Sequence, residues 1–495
     1  MALTEDQVTE DMARLHRLLI ERNAVAEVLR DYYRGKHRLP WIHKKAAPAY
    51  RTLMAQAPSN FPALIVDSVN DRLKVEGFRF SDDSADKDAW DCWQANDLDV
   101  FSPMVHSQAL YSGYGYASVW PGETEDGYPS IKGESCFEVY HEATPGDIYD
   151  VRTAVKVWWS RPDMRWYGRY WKDGLYVSLE APLEASTMRD ERSKVNAPSW
   201  QLPGPEKWLV MESQDIADSP FIPFVNRPDL EGWGWGEFED AIPLIDRINT
   251  ISGQMLLAGE LGAFKAKWAT GIDIPTDDEG NETEPFNAAI DRLVVSENEN
   301  AKFGVFDSTD LRMYQEALNQ AITHLAAITR TPPFMLLGNL TNLSAEALKA
   351  TESGLVKKAA QRQVSFGESW EEVMRIALGR TDEKSAETLW ADPENVSESQ
   401  HVDALSKLYA MGLPTEAVWE SWGASPQQIE RFKQMRSEDV MQRVMLASAS
   451  QAPGLNNGPA NAGQQQNGQP AQKGPQGGSP TAQLQQMPND SGSGM

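Results

Sequence analysis

Cysteine is nearly absent. Two in 495 residues, Cys92 and Cys136, exclude a disulfide framework and a cysteine metal cage, and they are expected as buried fillers in a reducing compartment. Histidine is scarce as well: the seven never form a His-x-x-x-His zinc helix, and His141-Glu142 lacks the second histidine that such a helix needs. His324, on a helical segment, is expected in a core or at an interface rather than as a base. No apolar run approaches the roughly 18–20 residues that cross a bilayer, and the opening "MALTEDQ" is acidic where a secretion signal is basic and then apolar. Neither a membrane span nor secretion is expected. No Gly-x-x-x-x-Gly-Lys-Ser/Thr occurs, so no phosphate cradle of that kind is present. "GWGWGEF" at 232–238 lacks the third dinucleotide glycine, and Gly133-Glu134-Ser135 fails as a nucleophile elbow because Phe137 stands where glycine is required. Carboxylates abound, but no motif singles out a pair for acid–base work, and no active site, cofactor or metal is expected.

Positive charge is also short. Against 72 acids stand 46 lysines and arginines, a formal charge of −26, the opposite of the basic footprint by which proteins grip phosphates. The balance argues against tight DNA binding. It leaves room for a protein that surrounds DNA without holding it. With 41% hydrophobic and 24% charged residues, a chain of this length builds several packed units, since single cores stop growing at roughly 250–300 residues.

Helical pattern opens the chain. Thr4 to Gln7 form a capping box ahead of Val8, Met12, Leu15, Leu19, Val25, Leu29 and Tyr32 at helical spacing, and Gly35 ends the run. "PALIVDSVNDRLK" predicts a second helix, "VEGFRF" a short strand, and Lys87 to Tyr111 further helix. From about 115 to 225 the texture turns to short aromatic and β-branched runs, with Lys172-Asp173-Gly174 as a hairpin turn. Trp158, Trp159, Trp166 and Trp171 in this module are expected to pack within half-buried strands, with a base- or sugar-stacking platform as the alternative. A helix with Leu244, Ile248, Ile251, Met255 and Ala258 on one stripe follows, Pro243 near its first turn. Next comes an acidic insertion carrying Asp273, Asp277, Asp278, Glu279, Glu282 and Glu284; its spacing does not fit a calcium loop, so a solvated face is expected.

A returning helix, about 309–330, carries Leu311, Tyr314, Leu318, Ile322 and Leu325 on one side. It meets "PPFMLLGNLTNLSAEAL" at 332–348, where prolines and Gly338, Asn339 and Asn342 give turn chemistry among leucines. Ser344 then caps a helix of over thirty residues, with Glu346 in its first turn and Leu348, Leu355, Ala359, Phe366, Trp370 and Val373 as its apolar stripe. The loop is held at both ends, which suits a positioned functional device; its commoner counterpart is a helix–helix connection whose leucines cap the local core. Three shorter helices end the ordered part, the last opening on the capping box Ser425-Pro426-Gln427-Gln428, and from about 449 the Gln/Gly/Pro-rich tail is too poor in apolar residues to fold.

This order of parts, with "PFIPFVNRPD", "WATG" and "TRTPPFMLLGNLTNLSAEALKATESGLVKKAAQRQ", resembles the portal, or head-to-tail connector, proteins of tailed double-stranded DNA bacteriophages over about residues 5–447. The Thr-Pro-Pro, loop, Ser-Ala-Glu-Ala-Leu-Lys run is its most specific piece. The resemblance implies an α+β fold, mainly α, with wing, stem, clip and crown regions and a disordered C-terminal tail. It divides the chain into a helical part of the wing (1–114), a β-rich wing module (115–230), a stem helix (231–263), the clip (264–306), a second stem helix (307–330), a tunnel loop (331–344), a long helix joining wing to crown (345–380), crown helices (381–448) and the tail (449–495).

It further implies a dodecameric ring at one capsid vertex, present in the host cytoplasm during assembly and then in the virion. The ring would be the channel for DNA packaging and ejection. Its partners would be double-stranded DNA in transit, terminase, head-completion or adaptor proteins, and the major capsid and scaffolding proteins, with no membrane. The tunnel loop falls on Met335, Leu336, Leu337, Gly338, Asn339, Leu340, Thr341 and Asn342, a neutral surface that lets a polyanion pass. Arg330 and Lys349 are candidate phosphate contacts, with pairing to neighbouring acids equally open, and Asp277, Asp278, Glu279, Glu282 and Glu284 form the clip's partner surface. Two other classes compete: a hydrolase with an aromatic, β-rich ligand site, and a non-portal virion adaptor.

Overall fold

The structure, a computed structural model, describes residues 3–39, 48–80, 86–124, 127–189, 196–200, 202–263, 267–270, 300–305, 310–338, 345–394, 398–424 and 426–450. The Ser344 and Ser425 caps, the acids of the insertion and the tail beyond 450 lie outside the described residues. Two units divide the chain, residues 1–434 and 435–495.

Helix α1 (Glu5–Tyr33) begins at the expected capping box: the Thr4 hydroxyl accepts from Gln7 N, and the Gln7 side chain accepts from Thr4 N. Its stripe is buried as the spacing requires, apart from Val25, which is exposed. There follow α2 (Pro48–Met54), α3 (Phe61–Asn70), β1 (Val75–Arg79), α4 (Lys87–Ala95) and α5 (Leu98–Ser112). The β-rich stretch holds β2 (Tyr114–Glu123), β3 (Pro129–Glu134), β4 (Val139–Thr144), β5 (Asp147–Ser160), β6 (Arg165–Lys172), β7 (Leu175–Pro182), β8 (Ala185–Arg189), β9 (Asn196–Trp200), β10 (Leu209–Asp215) and β11 (Phe221–Val225). Asp173 and Gly174 join β6 to β7 with φ of 47° and 85°, the left-handed pair that a two-residue hairpin of matching twist demands.

Five of these strands form an antiparallel sheet in the order β10-β7-β6-β5-β4, and three more a sheet in the order β11-β2-β3. The amphipathic α1 closes the first sheet. Val8, Met12, Leu15 and Leu19 pack against Val155, Val157, Trp166, Tyr170 and Leu179, and Gly168 leaves room for Met12, whose Cε a Cβ there would strike. Polar clamps fix the helix azimuth: Tyr170 OH donates to Asp11 at 2.8 Å, and Arg14 forks onto Glu142 at 2.6 and 2.8 Å. Trp166 and Trp171 are buried in this packing. Trp158 stacks on Tyr167 under the Lys156 and Arg169 cations, and Trp159 alone of the four is exposed. The four tryptophans serve the sheet and form no continuous exposed platform.

Helix α6 (Ile242–Ala263) leads out from the second sheet, with Pro243 in its first turn, where a missing N–H costs nothing. At its far end β12 (Lys267–Thr270) pairs antiparallel with β13 (Lys302–Val305), and α7 (Leu311–Thr329) returns along α6. Then come α8 (Pro333–Leu337), α9 (Ala345–Ala377), β14 (Glu387–Trp390), α10 (Glu398–Ala410), α11 (Thr415–Ser421) and α12 (Pro426–Ser450). Strand β14, which the sequence reading missed, pairs antiparallel with β1. The 33 residues of α9 reach about 50 Å at 1.5 Å per residue. Its stripe is the spine of the main core: Leu355, Phe366, Trp370 and Val373 are fully buried among Trp93, Phe224, Phe238 and Ile245. Both cysteines are free and buried, as expected.

Candidate functional site

The segment between α7 and α9 is built to be held. Arg330 takes a left-handed conformation, φ 53°, and Thr331 N–H reaches back to Ala326 O at 3.0 Å, closing α7 with a Schellman turn. The Thr329 hydroxyl donates to Leu325 O at 2.8 Å and approaches the Thr331 hydroxyl at 3.1 Å.

Here the structure corrects the reading of 331–344 as loop throughout. The preceding helix does end before the prolines, but Pro333 starts a new one: its fixed φ and absent N–H suit the first helical position, and Pro333–Leu337 form a single turn that Gly338 ends at φ 68°. That turn buries Leu336 in the main core and half-buries Met335 and Leu337 against it. For these three, the packing reading of the leucines describes the observed environment. Asn339, Leu340, Thr341 and Asn342 lie outside the described residues, as do the clip acids Asp277, Asp278, Glu279, Glu282 and Glu284. His324, expected in a core or at an interface, is exposed on α7 within this chain.

On the far side, α9 fastens the end of α7. Lys358, buried, donates to the Thr329 carbonyl at 2.8 Å and lies 3.5 Å from Glu237, which accepts from Arg362 Nε at 2.7 Å. Glu237 comes from the turn before α6, where its own N–H is bound by Leu110 O at 2.8 Å. Burial raises the Glu237 carboxyl, but the Lys358 and Arg362 charges outweigh it and hold the group below its ordinary value. Burial lowers the Lys358 ammonium, and the facing carboxylate restores it only in part. One buried node thus ties together α7, α9 and the entry to α6. Sequence reasoning passed over it, although Lys358 and Arg362 sit at core spacing between Leu355 and Phe366, a placement that signals a buried partner.

The two candidate phosphate contacts part company. Lys349 pairs with Glu394 at 3.6 Å on the surface, in line with the pairing reading. Arg330 is exposed with no carboxylate partner among the described residues, and it lines a cavity of about 320 Å³ with Arg227, Lys358, Arg362, Glu237 and Asp240. No cluster of metal-ligating side chains occurs among the described residues, and no helix there is long and apolar enough to cross a membrane.

The fold is thus a sheet-and-helix body from which α6 leaves and α7 returns, with an anchored, leucine-bearing segment following α7. The chain belongs to a family of phage portal proteins, described as "Phage portal protein, SPP1 Gp6-like", which matches residues 21–442. It is 28% identical over 436 residues to the portal protein of Mycobacterium phage L5, covering 83% of this chain and 84% of that one. To the portal protein of Mycobacterium phage D29 it is 27% identical over 435 residues, with the same coverage of 83% and 84%. The family is a structural one, and its members form oligomeric rings in the capsid at one vertex.

Proposed function

We propose that twelve copies of this chain close into a ring whose axial channel carries double-stranded DNA into the capsid and out again. In this reading α6 and α7 are the stem, and residues 264–306 the clip, whose acids Asp277, Asp278, Glu279, Glu282 and Glu284 meet head-completion proteins while terminase docks at the same end. Helix α9 crosses from the channel into the wing, and α10 to α12 contribute to the crown. The segment 338–344 is the tunnel loop. The observation that carries the reading is the two-sided fastening at that segment's base: the Lys358–Thr329 bond, the Glu237 node and the buried Leu336 make residues 329–337 a rigid mount.

In this reading the working tip is Gly338, Asn339, Leu340, Thr341 and Asn342, all uncharged. In a closed ring one lysine per tip becomes a cationic collar that touches several phosphates at once and retards the duplex. A neutral tip avoids those electrostatic wells. The test is Leu340→Lys: we expect rings of wild-type mass by native mass spectrometry and axial holes by electron microscopy, with DNA packaging impaired. Unchanged packaging would remove this role for the loop, and a wild-type chain that stays monomeric at high concentration would remove the ring.

A further inference from the structure

Among the described residues five non-glycine residues have positive φ, and two are arginines, Arg227 at 50° and Arg330 at 53°, both lining the cavity beside the Glu237 node. Arg330 owes the conformation to the turn that closes α7, and Arg227 pairs with Asp240 at 2.7 Å. Against four cations (Arg227, Arg330, Lys358 and Arg362) the cavity sets two carboxylates, Glu237 and Asp240. The surplus of two positive charges stands out on a chain of net charge −26.

A stiff loop with exposed apolar side chains adjoins the cavity in sequence, between its lining residues Pro228 and Glu237. Pro228 lines the cavity, and the loop that follows presents Leu230, 96% exposed, Trp233, 56% exposed, and Trp235, 42% exposed. That loop is bound at every turn. Asp229 accepts from Glu231 N and Trp233 N, Trp235 N–H donates to Asn226 O at 2.8 Å, and Gly234 N–H donates to Tyr114 OH at 2.9 Å. Gly234 lies so close to the Gly113 carbonyl that any Cβ would collide with it. Val364, 70% exposed, stands next on α9, where Ser365 hydrogen-bonds Val225 O at 3.2 Å. Pre-ordered tryptophan beside arginine is the composition of a protein–protein hot spot, because little side-chain freedom remains to be lost on docking.

We infer that this face docks a second copy of the chain, with an acidic side chain of that copy entering the cavity beside Arg330 and the Trp233 loop packing on its apolar neighbour. Charge complementarity selects the occupant. Copies each carrying −26 repel one another, and a cationic socket turns one surplus acid of the neighbour into an attraction. An acid drawn from any surface other than the socket itself makes the contact head-to-tail, the kind that closes a ring. The inference rests on the portal reading and names the part of the ring contact that reading leaves open.

The experiment is native mass spectrometry of the full chain over a concentration series, for wild type, Trp233→Ala, Arg330→Glu and Lys407→Glu, with thermal melts to verify folding. Lys407, an exposed lysine on α10, controls for charge. We expect Trp233→Ala and Arg330→Glu to melt like wild type yet need about tenfold more protein, or greater, to reach half-assembly, with Lys407→Glu unchanged. Rings forming at the wild-type concentration in both test variants would overturn the inference and leave the portal reading standing. If Arg330→Glu rings assembled normally but passed DNA differently, the cavity would face the nucleic acid and the inference would also fall. Wild-type monomers alone would overturn both.

Discussion

Glu237 shows how much a single side chain can organise. Removing one member of a buried charge group strands the others without compensation, a loss of about 3–5 kcal/mol. Glu237→Ala should lower stability by that order in denaturant unfolding. The triple change Glu237→Leu, Lys358→Met, Arg362→Met should recover much of it, because the stranded charges set most of the cost. Three histidines supply a pH response. Burial lowers His16 to about 4 and His106 to about 3, and burial with the nearby Arg22 charge lowers His141 to about 3. From the ordinary value near 6.5 down to those values the unfolded chain binds more protons than the folded one, so stability rises with pH across the window and is lost on acidification. Thermal melts between pH 7 and 5 should show a falling midpoint, as stability declines by up to about 1.4 kcal/mol per pH unit for each histidine. His16→Leu should flatten the slope by one histidine's share.

Among the elements, sequence was most readable where period and chemistry agreed. The Thr4 capping box, the Asp173-Gly174 hairpin and the α9 stripe each announce themselves within a few residues, and each is present. What stayed hidden depended on distant partners. Strand β14 is four residues long and exists only because β1 lies beside it. The Glu237 node joins side chains more than a hundred positions apart. The proline pair was legible as a break but not as a start, because the leucines after it gain a core to enter only once α7 and α9 are packed. Two substitutions probe these elements. Leu336→Lys places an ammonium in that core and should cost about 2–5 kcal/mol, read as a lowered melting midpoint or lost soluble protein. Gly234→Ala should loosen the Trp233 loop, seen as faster amide exchange at Trp235, whose N–H bonds Asn226 O.

For the whole molecule, the acidic balance bears on the proposed guiding of DNA. If the ring guides and does not grip, its association with duplex should be weak, and log K against log salt should slope by no more than about −2, since few phosphates are neutralised. A steep slope in a filter-binding titration would mark a gripping protein instead. The pairing of β1 with β14 bears on biosynthesis. Val75–Arg79 finds its only strand neighbour among the described residues at Glu387–Trp390, so a ribosome must add about 300 further residues after Arg79 before that sheet can form. Contacts this remote close late. A stalled or cleaved product ending before Glu387 leaves Val75–Arg79 without that partner, an open edge prone to pair with other chains.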